Sequence, residues 1–100
     1  MTDTVRNRVL LRLGPLTVYL VHYPTGHGIL PHVDGVAAGR LYKLNCVLVK
    51  PAAGGEFVCE QTIFDLFGRL VLFRPDLHEH RVTRIERGRR LLLSFALYTA

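Results

Sequence analysis

The chain has 100 residues, which is close to the commonest size of one domain and leaves room for a single core. Its residues are 49% hydrophobic and 21% charged, so a disordered chain is excluded, and no apolar run reaches the roughly 18 residues that a membrane-spanning helix needs. The net charge of +5 is carried mostly by arginine, with a cluster at Arg81, Arg84, Arg87, Arg89 and Arg90. We interpret this cluster as a solvated strand edge and do not expect nucleic acid as a partner.

Short stretches rich in β-branched and aromatic residues follow one another along the chain, separated by turns that contain glycine or proline. They predict strands at residues 9–13, 16–23, 41–50, 56–59, 70–73, 80–85 and 89–97. Only residues 62–67 favour a helical turn. Many short strands with regular turns indicate an all-β sandwich or barrel, and we predict one domain over residues 1–100 with its core at 16–97.

The N-terminal residues 1–4 lack the basic-then-apolar order of a secretory signal, which favours the cytoplasm. The two cysteines, Cys46 and Cys59, both lie among apolar neighbours. We predict that they are buried free thiols, although a bridge between neighbouring strands is an alternative.

The last two predicted strands are joined by residues 86–88, a loop whose length predicts a hairpin with Gly88 in the left-handed conformation. In the register that follows, Ser94 lies opposite His80, and His80 and Arg90 point to the same side.

The other face of the final strand then carries Leu91, Leu93 and Phe95. A strand with one face in water would not be apolar on both faces, so we expect this outer face to form a homodimer contact.

The residues that indicate chemistry are His32 and Asp34, separated by one residue, and His80, followed ten residues later by Arg90. Two imidazoles and one carboxylate suit Fe(II) and leave coordination positions open on the metal. A guanidinium beyond the last ligand is suited to a carboxylate, which it binds through two parallel hydrogen bonds. We predict that His22 and His27 are not ligands.

Together with Tyr23 and the Gly54-Gly55-Glu56-Phe57 segment, this ordered set resembles the Fe(II)/2-oxoglutarate-dependent oxygenases, and most closely their prolyl-hydroxylase-like branch. The branch pattern ends in His-x-Val-x-x-Val-x-x-Gly-x-Arg, which this chain matches at His80, Val82, Ile85, Gly88 and Arg90. The same step to glycine and arginine favours His80 over His78 as the distal ligand. The resemblance covers nearly the whole chain.

The resemblance implies a double-stranded β-helix, which is a cupin-like jelly roll, here in a minimal form with little or no helix. It implies that His32, Asp34 and His80 bind iron, that Arg90 binds the distal carboxylate of 2-oxoglutarate, and that the Tyr23 hydroxyl contacts this cosubstrate. A second tyrosine of the family falls at Val47. Lys43 and Asn45 share its predicted face, and either is a candidate replacement.

The implied activity is that of a dioxygenase, which hydroxylates a C–H bond of a peptidyl, prolyl-like substrate or of a small molecule. O2 is consumed, succinate and CO2 are coproducts, and ascorbate is an optional reductant. The Arg-x-Asn-x-Thr-x-Arg run of nucleic-acid demethylases is missing. The alternative is a non-catalytic, metal-binding protein with a cupin-like barrel, since imidazole and carboxylate ligands do not select iron by affinity.

Overall fold

The computed structural model describes residues 5–35 and 38–99, which form eleven strands and no helix. No helix in these residues has the length and apolarity needed to cross a bilayer. The strands are β1 (Arg6–Leu13), β2 (Leu16–Tyr23), β3 (Ile29–His32), β4 (Arg40–Val49), β5 (Ala53–Gly54), β6 (Phe57–Cys59), β7 (Phe64–Leu66), β8 (Leu70–Phe73), β9 (His80–Val82), β10 (Ile85–Arg87) and β11 (Arg90–Thr99).

These strands form two layers. The large layer is a six-stranded antiparallel sheet in the order β1-β2-β11-β4-β8-β7. The small layer contains the three-stranded sheet β3-β9-β6 and the pair β10-β5. The chain crosses repeatedly between the layers, which is the arrangement of a double-stranded β-helix, or jelly roll. The predicted all-β fold is therefore confirmed.

The core lies between the layers and follows from the alternation of side chains along each strand. In β11 every second residue, from Arg90 to Ala96, is buried, and the residues between them are only half-buried. Six buried side chains from both layers pack together at the centre: Val21, Tyr23, Val47, Val82, Ile85 and Leu92. Ile85, from the small layer, is fully buried in this cluster among side chains of the large layer.

The predicted hairpin of the last two strands is wrong. Strand β9 pairs with β3 and β6, so His80 lies opposite His32 and Cys59 and not opposite Ser94. Strand β11 already has neighbours on both edges, β2 and β4, which leaves no edge for β9. Gly88 does have the predicted positive φ, 86°, but its turn carries the chain from the small layer to the large one.

The other local predictions meet mixed outcomes. Strands 16–23 and 70–73 have the predicted bounds, whereas 80–85 is divided into β9 and β10. The prediction of a helical turn at 62–67 is wrong, because residues 64–66 form strand β7, which pairs with β8. In the turn between these strands the Asp65 carboxylate accepts a hydrogen bond from the Gly68 N–H at 2.7 Å. Strands β3 and β5 were not predicted, because each is short and contains proline or glycine.

Candidate active site

Three side chains of the small layer bring their ligand atoms together. His32 ends β3, His80 begins β9, and the two are directly opposite in the register. Asp34 follows β3 by two residues, and its Oδ1 lies 3.3 Å from His32 Nε2. Its Oδ2 lies 3.8 Å from His80 Nε2, and one ligand atom from each residue lies within 4.8 Å of the other two. These are the three residues predicted as metal ligands.

Both histidines hydrogen-bond through the same ring nitrogen to a carbonyl oxygen two residues earlier in the chain. His32 Nδ1 lies 2.8 Å from the carbonyl oxygen of Leu30, and His80 Nδ1 lies 3.0 Å from that of His78. A carbonyl oxygen only accepts, so each Nδ1 donates its N–H, and Nε2 is the ring nitrogen of each histidine that is directed to the cluster. This hydrogen bond from the second ring nitrogen is the usual companion of a metal-binding imidazole.

His80 is buried beside two aromatic rings. Its ring lies 5.3 Å from the ring centroid of Phe73 and 6.2 Å from that of Phe57. This burial lowers the pKa of His80 below its ordinary value, and the imidazole is therefore kept in the neutral form that a metal requires.

Asp34 is positioned through its backbone. Its N–H donates to the carbonyl oxygen of Pro75 at 2.8 Å, in the loop that leads to His80. That loop is itself ordered by an ion pair, in which Arg74 Nε donates to Asp76 Oδ1 at 3.0 Å. The Arg74 guanidinium holds the pKa of the Asp76 carboxyl below its usual range.

The donor set fits Fe(II). Metal bonds of about 2.1 Å place neighbouring ligand atoms of an octahedron about 3 Å apart. The observed separations are longer: 3.3 Å from His32 to Oδ1 of Asp34, 3.8 Å from His80 to its Oδ2, and up to 4.8 Å when one atom is taken from each residue. The three side chains would therefore move inward to close on an ion. Two neutral nitrogens and one carboxylate oxygen from one side leave further coordination positions open.

The large layer contributes a buried cation. Arg90, the first residue of β11, is only 3% exposed, and its guanidinium carbon lies 5.2 Å from the ring centroid of its strand neighbour Tyr23. Burial lowers the pKa of Arg90 and raises that of Tyr23. Among the described residues no carboxylate forms an ion pair with Arg90. A buried guanidinium without a counter-ion is the expected chemistry of a binding site for an anion.

One cavity of about 220 Å³ between the layers joins these groups. Its wall includes the three ligand residues, Tyr23 and Arg90, together with Lys43, Asn45 and Ser94. The expectation that His80 and Arg90 face the same space is therefore met, although the hairpin from which it was inferred does not exist.

Asn45 and Lys43, the two candidates to replace the missing tyrosine, have different partners. Val47 is buried in the core and offers no polar atom. The Asn45 side-chain oxygen accepts the Ser94 hydroxyl at 2.8 Å, which leaves the amide nitrogen as its donor. The Lys43 ammonium instead lies 3.6 Å from Asp34 Oδ2.

Ser94 was not predicted as a site residue. The signal that identifies it is a polar side chain among the apolar, inward-facing positions of β11.

Several other residues lie outside the cluster. His22, His27 and His78 contribute no ligand atom to it. Cys46 and Cys59 are free and half-buried. They belong to different layers, because Cys46 pairs with Leu93 and Cys59 with His80, so the alternative of a bridge between neighbouring strands is wrong.

Comparison with known proteins agrees with this geometry. The model of the 2OG-Fe(II) oxygenase superfamily matches residues 18–98. The chain belongs to the 2OG-Fe(II) oxygenase superfamily. This membership supports an oxygenase-type enzyme and implies Fe(II) and 2-oxoglutarate, for which the residues above provide fitting groups.

Two solved structures are similar in fold. An RmlC-like cupin protein from Desulfovibrio desulfuricans has a TM-score of 0.56 and 11% identity, and the match covers 94% of this chain and 82% of that one. The structure of Rhodobacter sphaeroides SigE in complex with the anti-sigma ChrR gives a TM-score of 0.56 and 24% identity, over 97% of this chain and 46% of that one. Among curated proteins no significant match is found.

Proposed function

We propose that this chain is an Fe(II)- and 2-oxoglutarate-dependent dioxygenase that hydroxylates a C–H bond of a peptidyl or small-molecule substrate, with succinate and CO2 as coproducts. One observation carries the proposal. A triad of two imidazoles and a carboxylate shares a cavity with a buried arginine that has no carboxylate partner among the described residues. A site for metal alone has no need of that arginine.

The residues divide the work between the two layers. His32, Asp34 and His80 would hold Fe(II), which when bound supplies the activation of O2 that hydroxylation requires. Arg90 would bind the distal carboxylate of 2-oxoglutarate. The hydroxyl of Tyr23, beside Arg90, would donate a hydrogen bond to the same cosubstrate. Phe57 and Phe73 line the cavity beside His80 and would keep water from the reacting groups.

The substrate proposal depends on the motif and on the size of the cavity. The spacing of His80, Gly88 and Arg90 in the sequence supports the prolyl-hydroxylase-like branch, and therefore a prolyl-like substrate. The cavity of about 220 Å³ is smaller than the roughly 300–1,000 Å³ of most ligand pockets. We therefore propose that only the reacting part of the substrate enters it. Ascorbate as a reductant, a cytoplasmic location and independence from nucleic acid remain predictions.

A second candidate is a non-catalytic protein that holds a metal in a cupin-like barrel. Val47 favours it, because an apolar core side chain stands where the family has a tyrosine for the cosubstrate. The same triad would bind other divalent ions, since affinity for such ligands rises toward copper.

The first prediction separates these candidates. Anaerobic addition of Fe(II) and then 2-oxoglutarate is followed by visible absorption, because 2-oxoglutarate chelated to such an iron gives a weak charge-transfer band. We expect the band in the wild type, a loss of at least about tenfold in 2-oxoglutarate affinity in Arg90→Ala, which corresponds to one buried charged hydrogen bond, and partial recovery in Arg90→Lys.

Arg89→Ala is the matched control, because Arg89 is adjacent but exposed. Metal binding without a band would favour the non-catalytic barrel. If no metal binds at all, the triad is accidental and the proposed function is wrong.

A further inference from the structure

The charged side chains of the cavity are few. Asp34, Lys43 and Arg90 all line it, and each is at least partly buried. Arg81 also borders the cavity, but it lies between two buried residues of β9 and its own side chain is exposed to solvent. The inner charges are therefore one carboxylate, one ammonium and one guanidinium.

Lys43 enters the cavity from the middle of β4. It lies between Phe73 of β8 and Ala96 of β11, both of which are buried, and its side chain is 28% exposed. Its ammonium lies 3.6 Å from Asp34 Oδ2, which is also the oxygen nearer to His80. Among the described residues this carboxylate is its one ionic partner.

A charge count, which rests on the proposed function, leaves one positive charge without a partner. Fe(II), Arg90 and Lys43 together carry four positive charges, whereas Asp34 and the two carboxylates of 2-oxoglutarate carry three negative ones. The distal carboxylate matches Arg90, and Asp34 with the proximal carboxylate matches the metal. The ammonium of Lys43 remains, and a partly buried charge is costly unless it is paired.

We propose that the primary substrate carries a carboxylate group, and that Lys43 binds this group beside the metal site. A single excess charge matches a carboxylate better than a phosphate, which carries about 1.5 to 2 negative charges at neutral pH. A free acid or a chain-terminal residue meets this requirement. Among the substrates of the proposed function, this favours a small molecule or the C-terminal residue of a peptide over an internal prolyl residue, whose carboxyl group is part of an amide.

Two small probes test the carboxylate without knowledge of the substrate. Acetate is the simplest carboxylate, and acetamide is its uncharged analogue of similar shape. With Mn(II) in place of iron and 2-oxoglutarate saturating, the bound ion increases the relaxation rate of methyl protons on any probe that binds close to it. We expect several-fold stronger relaxation for acetate than for acetamide in the wild type.

Variants at the two lysines of the chain make the test specific. Lys43→Met should abolish the difference between the probes, and Lys43→Arg should keep it. Lys50→Met is the matched control, because Lys50 is exposed at the end of β4 and borders a different cavity. Equal relaxation by both probes in the wild type, or an acetate effect that survives in Lys43→Met, would overturn the proposal.

The 2-oxoglutarate affinity of Lys43→Met separates this proposal from the proposed function. We expect it to change by less than a few-fold, because Arg90 and the metal hold the cosubstrate. A loss as large as that of Arg90→Ala would assign Lys43 to the cosubstrate and overturn the substrate proposal. Absence of the charge-transfer band in the wild type would refute the oxygenase activity itself.

Discussion

The tautomers of the two histidines are set by an unusually local device. Each imidazole donates its Nδ1–H to the carbonyl oxygen two residues earlier in its own chain segment. The ring orientation therefore depends on the neighbouring backbone, within β3 for His32 and in the loop before β9 for His80, and not on a distant side chain. Since each Nε2 is directed at Asp34, the three ligand residues are already gathered before an ion arrives.

A comparison of histidine variants tests this arrangement at the scale of single residues. We expect His80→Ala to lower metal affinity by at least about 100-fold. Loss of a residue that only hydrogen-bonds a metal ligand typically costs 10–100-fold, and loss of the ligand itself should cost more. His27→Ala should leave it unchanged, since His27 lies outside the cluster. Equilibrium dialysis against Co(II) measures both. Loss of metal in His27→Ala with retention in His80→Ala would contradict the ligand assignment.

The residues of the candidate site were within reach of sequence reasoning because their spacing is local. His32 and Asp34 are two residues apart, and His80 is linked to Arg90 by a fixed ten-residue step. The role of Ser94 was not within reach, because its partner Asn45 is 49 residues away and only the sheet register brings them together.

At the scale of strands, local signals predicted most elements but not their pairing. The loop before Arg90 has the length of a hairpin, yet the strand that follows is central to the large sheet. Both edges of this strand are hydrogen-bonded, one to β2 and the other to β4, so neither edge is free for the hairpin that the loop length predicts. Strand order is a long-range property, so the turn chemistry of three residues does not determine it.

The pairing of β5 with β10 in the small layer depends on Gly54. Its φ is 74°, and a Cβ there would overlap the carbonyl oxygen of Arg84. We expect Gly54→Ala to lower the free energy of unfolding by more than the roughly 1–2 kcal/mol of the left-handed conformation alone. Gly14→Ala is the control, because Gly14 also has positive φ, 56°, but open space around it.

Thermal unfolding compares the two variants. Each kcal/mol lowers the midpoint of a domain this size by about 4–8 °C. Equal midpoints for both variants would show that the contact with Arg84 contributes nothing.

At the scale of the whole molecule, no third layer of described residues lies on the outer face of the large sheet, although Val18 on this face is buried by its neighbours. Residues opposite one another share a face, so the following half-buried side chains also point outward: Leu20, Leu44, Leu70, Leu72, Leu93 and Phe95. Leu11 and Leu66 on the flanking strands are 50% and 51% exposed. The charged residues Arg6 and Arg8 lie toward the edge, on β1.

The area of this face fits a second copy of the chain. Six strands about 4.8 Å apart and roughly 25 Å long give about 600–700 Å² per copy. Two copies bury about 1,200–1,400 Å², at the lower end of stable interfaces. We propose a homodimer with two stacked sheets, as in a sandwich.

Sedimentation velocity over a wide range of concentrations tests the dimer. We expect Leu93→Lys to give a monomer that keeps the Fe(II)–2-oxoglutarate band. Leu30→Lys, at an 84% exposed position of the other layer, should remain dimeric. A wild type that is monomeric at every concentration would refute the interface, and cover by another segment or protein would then be the alternative.

The division of the site between the layers has a consequence for folding. The ligand triad belongs to the small layer, and Tyr23, Lys43 and Arg90 belong to the large one. Bound metal and 2-oxoglutarate would therefore contact both layers at once and stabilise their packing. By mass action, a ligand at 100 times its dissociation constant adds about 2.7 kcal/mol to the stability of the folded state. The folded fraction of so small a chain would thus rise and fall with the supply of 2-oxoglutarate and iron.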